Sequence, residues 1–263
     1  MNQKHAIEIG LIVYEKAQMA AILGLTDLLM VASKIAAKHQ DTTDLPLQVS
    51  HWEIKGSNLR PTCNFSSNPD GSGRLAAIII PPTLETPIAK QAAAPWLEWL
   101  RDQHSTGVIL SSVCAGAFLL GETGLLSKRK ATTHWGYVEE FEQRFPDVDL
   151  DVDRIIIEDG DIVTAGGAMA WTDLGLRMVD RFLGSQVMNE AARALLIDPS
   201  RREQCYYSAF SPNLTHGDAA ILKVQHWLQK TEARVIDLST LANCAQLEER
   251  TFLRRFHKAT GMT

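Results

Sequence analysis

Apolar residues run almost unbroken through HAIEIGLIVY (5–14) and then recur at helical spacing in AAILGLTDLLMVASKIAAKH (20–39), which predicts a buried strand feeding a helix. LQVSHWEI (47–54) alternates as a strand does, whereas CNFSSNPDGSG (63–73) has no period and is expected as a loop. LAAIIIPP (75–82) and TGVILSSVC (106–114) are short continuous apolar runs, as in parallel strands covered on both faces, with a helix at PIAKQAAAPWLEWLRDQH (87–104) between them. AGAFLLGETG (115–124) is helical up to its glycine. VDRIIIEDGDIVTAGG (152–167) reads as strand, turn and strand, and AWTDLGLRMVDRFLGSQVMNEAARALL (170–196) as one or two helices. This alternation predicts an α/β fold, a mostly parallel sheet with helices on both faces.

The pattern changes after IDPSRREQ (197–204). CYYSAFSPNLTHGD (205–218) is rich in Ser, Pro, Asn and Gly without a period, and the positions beyond it all have helical spacing. The expected organisation is an α/β domain over 1–196, a linker over 197–215 and a small all-α segment over 216–263. Charge divides the same way. The 263-residue chain has a formal net charge of −5, yet residues 216–263 carry seven Lys/Arg against five Asp/Glu and leave the rest at −7. An acidic body with a basic appendage excludes nucleic-acid coating along the whole chain and permits a local basic patch. Cys63, Cys114, Cys205 and Cys244 form no CxxC pair, which argues against a disulfide scaffold or structural zinc and fits a reducing cytoplasm. The apolar run at the N-terminus is too short for a membrane span and lacks a cleavage site, so no membrane partner is expected. DVDLDVDRIIIE (147–158) has Val152 where a calcium loop needs Gly, and no Gly-rich run precedes Lys-Ser/Thr. No metal and no cofactor are expected.

VIDLSTLANCAQLEERTFLRRFHKATG divides into two helices joined at NCAQL, the first capped by Asp237 or Ser239 and the second running from about Glu248 to Thr260. Phe252, Phe256 and Ala259 share one face of the second helix, with Leu253 at its edge; Arg250, Arg254, Thr251 and Lys258 project away. Exposed arginines at i and i+4 on a second helix suit major-groove reading, because guanidinium groups match guanine O6/N7 or phosphate oxygens. LSTLANCAQLEERTFLRRFHKATGMT (238–263) resembles the first helix-turn-helix of the AraC/XylS transcription regulators, through Leu241-Ala242, Arg250, Phe252, Arg254-Arg255-Phe256 and Thr260-Gly261. It departs at Glu248, where a capping Ser is usual, and at Leu253, a base-reading position that is commonly polar. The family continues into a second helix-turn-helix where this sequence stops, so the resemblance implies a truncated DNA-binding domain of low affinity.

The remaining question is Cys114. In SSVCAGAF a strand ends on the cysteine and small residues allow a sharp turn into a helix, as at a nucleophile elbow. The helix N-terminus is expected to favour a thiolate, with His134 in TTHW as the nearby base. Residues 5–196 resemble the PfpI-type, class I glutamine amidotransferase-like domain, which implies a flavodoxin-like three-layer sandwich. CAGAFLLGETGLLSKRKATTHW, DGDIVTAGGAMAWTDLGLRMVDRFLG and DPSRREQ resemble its GlxA-like regulator branch, in which an AraC-type domain follows. Enzymes of that superfamily place a Glu after the first strand; aligned on LGLTDLL, that position is Ala21, with Glu15 too early. Their Gly-Gly oxyanion loop is here PPT, where Pro82 has no N–H and Thr83 still has one. The resemblance therefore implies a vestigial Cys114–His134 pair and no turnover. Cys114, Ala115, His134 and Thr83 are expected to line a pocket for a small effector, with promoter DNA and a second copy of the chain as the other partners. The rival reading is a cysteine-dependent hydrolase, amidase or glyoxalase-like enzyme; a third is a redox sensor oxidised at Cys114.

Overall fold

The computed structural model describes residues 6–56, 60–69, 73–198, 204, 216–231 and 237–260. The chain divides into two compact units, Met1–Cys205 and Tyr206–Thr263.

In the first unit β1 (Ala6–Val13), α1 (Met19–His39) and β2 (Leu47–Glu53) form the opening strand–helix–strand unit. Then come β3 (Thr62–Ser66), β4 (Gly73–Ile80), α2 (Lys90–Ser105), β5 (Ile109–Val113) and α3 (Gly116–Glu122). A short parallel ribbon pairs β6 (Lys130–Ala131) with β7 (Asp149–Leu150), and α4 (Val138–Arg144) lies between them in sequence. β8 (Ile156–Asp159), β9 (Ile162–Ala165), α5 (Trp171–Leu183) and α6 (Ser185–Leu195) complete the unit.

The seven-stranded sheet has the order β3-β2-β1-β4-β5-β9-β8, parallel except for the two edge strands β3 and β8. The chain leaves β1 toward one edge through α1 and leaves β4 toward the other through α2. Right-handed crossovers in opposite directions put those helices on opposite faces. This yields the flavodoxin-like sandwich, with α1 packed on α5 and α6, and α2 packed on α3. α1 is long and apolar enough to cross a membrane by length and composition, but half of that stretch is buried in the fold. Its Ile22, Leu25, Leu29, Ala32 and Ala36 form the buried stripe.

β3 corrects the expected loop. Thr62–Ser66 pairs antiparallel with β2, placing Phe65 opposite His51 with ring centroids 4.4 Å apart. Four of its five residues are exposed, so β3 is held by backbone pairing and leaves no apolar period to read.

The second unit contains α7 (Ala219–Thr231), α8 (Leu238–Ala245) and α9 (Glu249–Thr260) around Ile221, Val224, Ala242, Ala245 and Phe252. Arg255 forms a bidentate pair with Asp218 (2.7 and 2.8 Å), and Asp218 accepts from the N–H groups of Ala220 and Ile221 at the start of α7. α8 is capped by Asp237, which accepts from the Thr240 N–H at 2.7 Å and from the hydroxyls of Ser239 and Thr240. These bonds, Ser239 first, hold the Asp237 carboxyl down at about 2. A depressed carboxyl contributes stability above its unfolded value near 3.8 and loses it as pH falls toward 2. Asp237→Ala should therefore melt below the parent chain at pH 6, with the gap closing between pH 4 and pH 2. Calorimetry across that range checks this; a gap independent of pH contradicts it.

Candidate functional site

Cys114 directly follows β5, which lies next to β4, at the carboxyl edge of the parallel strands where open α/β sheets bind ligands. Its φ of +53° is left-handed, which a residue with a Cβ adopts only when its surroundings enforce it. Two bonds do so. The Cys114 N–H donates to the Ala165 carbonyl at 2.8 Å, and the Cys114 carbonyl accepts from the Thr133 hydroxyl at 2.8 Å. Gly116 lets α3 begin immediately: a Cβ there would lie 2.6 Å from the Ile80 carbonyl and 2.7 Å from that of Pro81. The elbow expected from SSVCAGAF is thus present.

The expected thiolate is not. Cys114 is only 3% exposed, and burial pushes its thiol up to about 11 against the opposing bond from the Ala115 N–H. A helix terminus contributes about 0.3–1 kcal/mol to a nearby charge, whereas burying an unpaired charge costs several kcal/mol. Desolvation wins. His134 does not offset it. Its Nδ1 accepts from the Gly136 N–H at 3.0 Å, so the neutral ring carries its proton on Nε2, and burial lowers its pKa. Among the described residues no hydrogen bond joins Cys114 to His134, whose ring packs on Trp135 and Tyr137.

Two tyrosines not anticipated from sequence lie within electrostatic range of the thiol. Burial, and secondarily the Cys114 charge, raise both Tyr14 and Tyr137. Their hydroxyls donate to the carbonyls of Pro81 (2.8 Å) and Glu85 (3.1 Å), so neither is directed at sulfur. The only signal for Tyr14 was its place at the end of a buried strand. Ala21 is buried in α1 and brings no carboxylate, and Glu15 is exposed in the turn before it. In the PPT loop the Pro82 carbonyl accepts from the Gln18 N–H at 2.7 Å, and the Thr83 hydroxyl accepts from the Glu85 N–H at 3.1 Å. Gln18 buries its Oε1 with no partner among the described residues. Of the expected pocket residues, Cys114, Ala115 and Thr83 are buried and His134 is half-buried.

On α9, Phe252 is buried and Phe256 and Ala259 pack beside it. At about 100° per residue, Leu253, His257, Arg250, Arg254 and Lys258 follow one another around the opposite side, all exposed, with Thr251 half-buried at the arc's edge. None of Arg250, Arg254 and Lys258 has an ion-pair partner among the described residues, whereas Arg255 is tied to Asp218. His257 within the arc was not anticipated; its place between Leu253 and Arg250 on the wheel was the available signal.

Residues 53–181 match the DJ-1/PfpI family. An isonitrile hydratase from Pseudomonas putida is 28% identical over 181 residues, covering 68% of this chain and 73% of that protein. The HTH-type transcriptional regulator GlxA of Rhizobium meliloti is 26% identical over 168 residues, 62% of this chain, and the chain spans only 51% of its length. A crystal structure of an AraC family transcriptional regulator from Pseudomonas putida superposes with a TM-score of 0.52 at 18% identity, over 72% of this chain and 99% of that one, a likeness of fold alone.

Proposed function

We propose that this chain, whose residues 53–181 match the DJ-1/PfpI family, is a transcription regulator. The body recognises a small effector at the Cys114 elbow without converting it, and α9 engages promoter DNA. The observation that carries this reading is the division of α9 into a packed aromatic face and an exposed arc on which Arg250, Arg254 and Lys258 have no ion-pair partner among the described residues. Likeness to HTH-type regulators supports it. The regulator acts as a cytoplasmic homodimer, since two half-sites need two reading helices. Its effector carries a hydrogen-bond donor for the buried Gln18 Oε1 beyond the ends of β1 and β4, which has no partner among the described residues. The rival, a cysteine-dependent enzyme, draws on the elbow geometry and on likeness to the hydratase. The protonated thiol and the missing carboxylate count against it.

Selection of duplexes from a random library at low salt tests the regulator reading. No enrichment sinks it. Leu253, 45% exposed beside Arg250 on the arc, gives the selected site a signature. An apolar side chain there reads the thymine methyl. Replacing one contacted thymine with uracil removes a single methyl, worth about 0.8 kcal/mol, so binding should weaken about fourfold. Leu253→Ala should bind both duplexes alike.

A further inference from the structure

Gln204 lies inside the segment read as linker, yet it is 2% exposed in the body. Its N–H donates to the Asp153 carbonyl at 2.8 Å. Its Nε2 faces three acceptors: the carbonyls of Thr133 (2.9 Å) and Arg154 (3.0 Å) and the hydroxyl oxygen of Thr132 (3.1 Å). The carboxamide also lies flat on Gly166, where a Cβ would fall 1.9 Å from Nε2. This gives the AGG motif a role: Ala165 supplies the carbonyl that holds the Cys114 N–H, and Gly166 leaves the slot that Gln204 fills.

Both bonds that hold Cys114 from outside its own turn therefore come from segments that Gln204 touches. Thr133 gives its hydroxyl to Cys114 and its carbonyl to Gln204. Ala165 gives its carbonyl to Cys114, and its neighbour Gly166 underlies Gln204. The first unit ends one residue later, at Cys205. The Gln204 Oε1, also buried, has no partner among the described residues. Release would let water bond it, so the closed state is held by one half of the carboxamide and opposed by the other. That is the character of a two-state latch.

Resting on the regulator reading above, we propose that Gln204 is a latch between the Cys114 elbow and the chain leading to the DNA-binding segment, so that occupancy at Cys114 loosens residue 204 and release of residue 204 loosens Cys114. The coupling is reciprocal by thermodynamic linkage. It makes Gln204 a positioning residue, not a binding one.

Iodoacetamide is the probe, with modification at Cys114 resolved by peptide mass spectrometry on the whole chain. In the unaltered protein, carbamidomethylated Cys114 should speed hydrogen exchange at the Gln204 amide about fivefold; a change under twofold overturns the latch. Gln204→Ala should speed alkylation of Cys114 about tenfold. Leu100→Ala, a buried truncation on α2 that lowers the melting temperature without touching the latch, should leave that rate within twofold. Gly166→Ala evicts the carboxamide and should match Gln204→Ala, and the double variant should be no faster than either. A rate unmoved by Gln204→Ala, equal acceleration by Leu100→Ala, or singles that multiply in the double overturns the proposal. No arm uses DNA. A chain that shows the coupling but selects no duplex refutes the regulator reading alone, and one that selects duplex without coupling refutes the latch alone.

Discussion

Replacing Arg250 and Arg254 together with alanine should lower the affinity of the chain for a selected duplex about a thousandfold at low salt. Both side chains are exposed on α9 and lack ion-pair partners among the described residues, so the substitutions leave no buried charge behind. A bidentate contact from Arg to guanine is worth about 1–3 kcal/mol. Two such contacts at mid-range amount to about 4 kcal/mol, or three powers of ten. Where one contact goes to phosphate instead, the slope of log affinity against log salt should flatten by about 0.9. Arg255→Ala supplies the contrast. That guanidinium holds Asp218 at the start of α7 from its place on α9, so its loss should reduce helix content and DNA binding together. Circular dichroism separates the two cases, and fluorescence anisotropy with a labelled duplex measures the affinities. If the Arg250/Arg254 variant binds within threefold of the parent, α9 does not read DNA through this arc.

The α9 arc was legible because its amphipathic spacing is local: Phe252, Phe256 and Ala259 mark the inner face, and apart from Leu253 everything opposite is polar or charged. The mostly parallel sheet was legible for the same kind of reason, since β4, β5 and β9 are apolar runs separated by helical ones, whereas the order of its strands was not. β3 was not, because an exposed edge strand gains its stability from the backbone of β2 and keeps no side-chain signature. The cap of α8 was half legible. Asp237 and Ser239 were equal candidates, and the structure uses both, with the Ser239 hydroxyl donating to the capping carboxylate.

At the Cys114 site local pattern gave the elbow and nothing of its chemistry. Tyr14 and Tyr137 come within electrostatic range of Cys114 from positions a hundred residues before and 23 residues after it, brought together by strand order and by the turn into α4. Gln204 was hidden differently. Its neighbours have the composition of a linker, and only the empty space above Gly166 explains why a polar side chain is drawn into the body there.

Alkylation of Cys114 should be about 100-fold slower at pH 7 than that of an unperturbed thiol, and should rise tenfold per pH unit until it levels near pH 11. With the thiol at about 11, roughly one molecule in ten thousand holds a thiolate at pH 7, whereas a free cysteine near 9 ionises in about one of a hundred. The same shift acts on stability with a definite sign. The fold favours the protonated thiol, so its contribution is complete below the unfolded value near 9 and disappears as pH rises through about 11. Two pKa units correspond to about 3 kcal/mol, and Cys114→Ser should remove that alkaline loss while leaving selection of duplex DNA intact. An enzyme attacking through this sulfur would begin about 5 kcal/mol behind one with a resident thiolate. Its usual remedies, a carboxylate partner and a histidine free to accept the proton, are missing, since position 21 is Ala and His134 Nδ1 is occupied by Gly136. A pH-independent alkylation rate equal to that of a free thiolate would return Cys114 to the chemical readings. A steep rise through pH 9 instead leaves a strained, uncharged thiol whose backbone is gripped from two sides, which is the equipment for sensing an occupant rather than for transforming one.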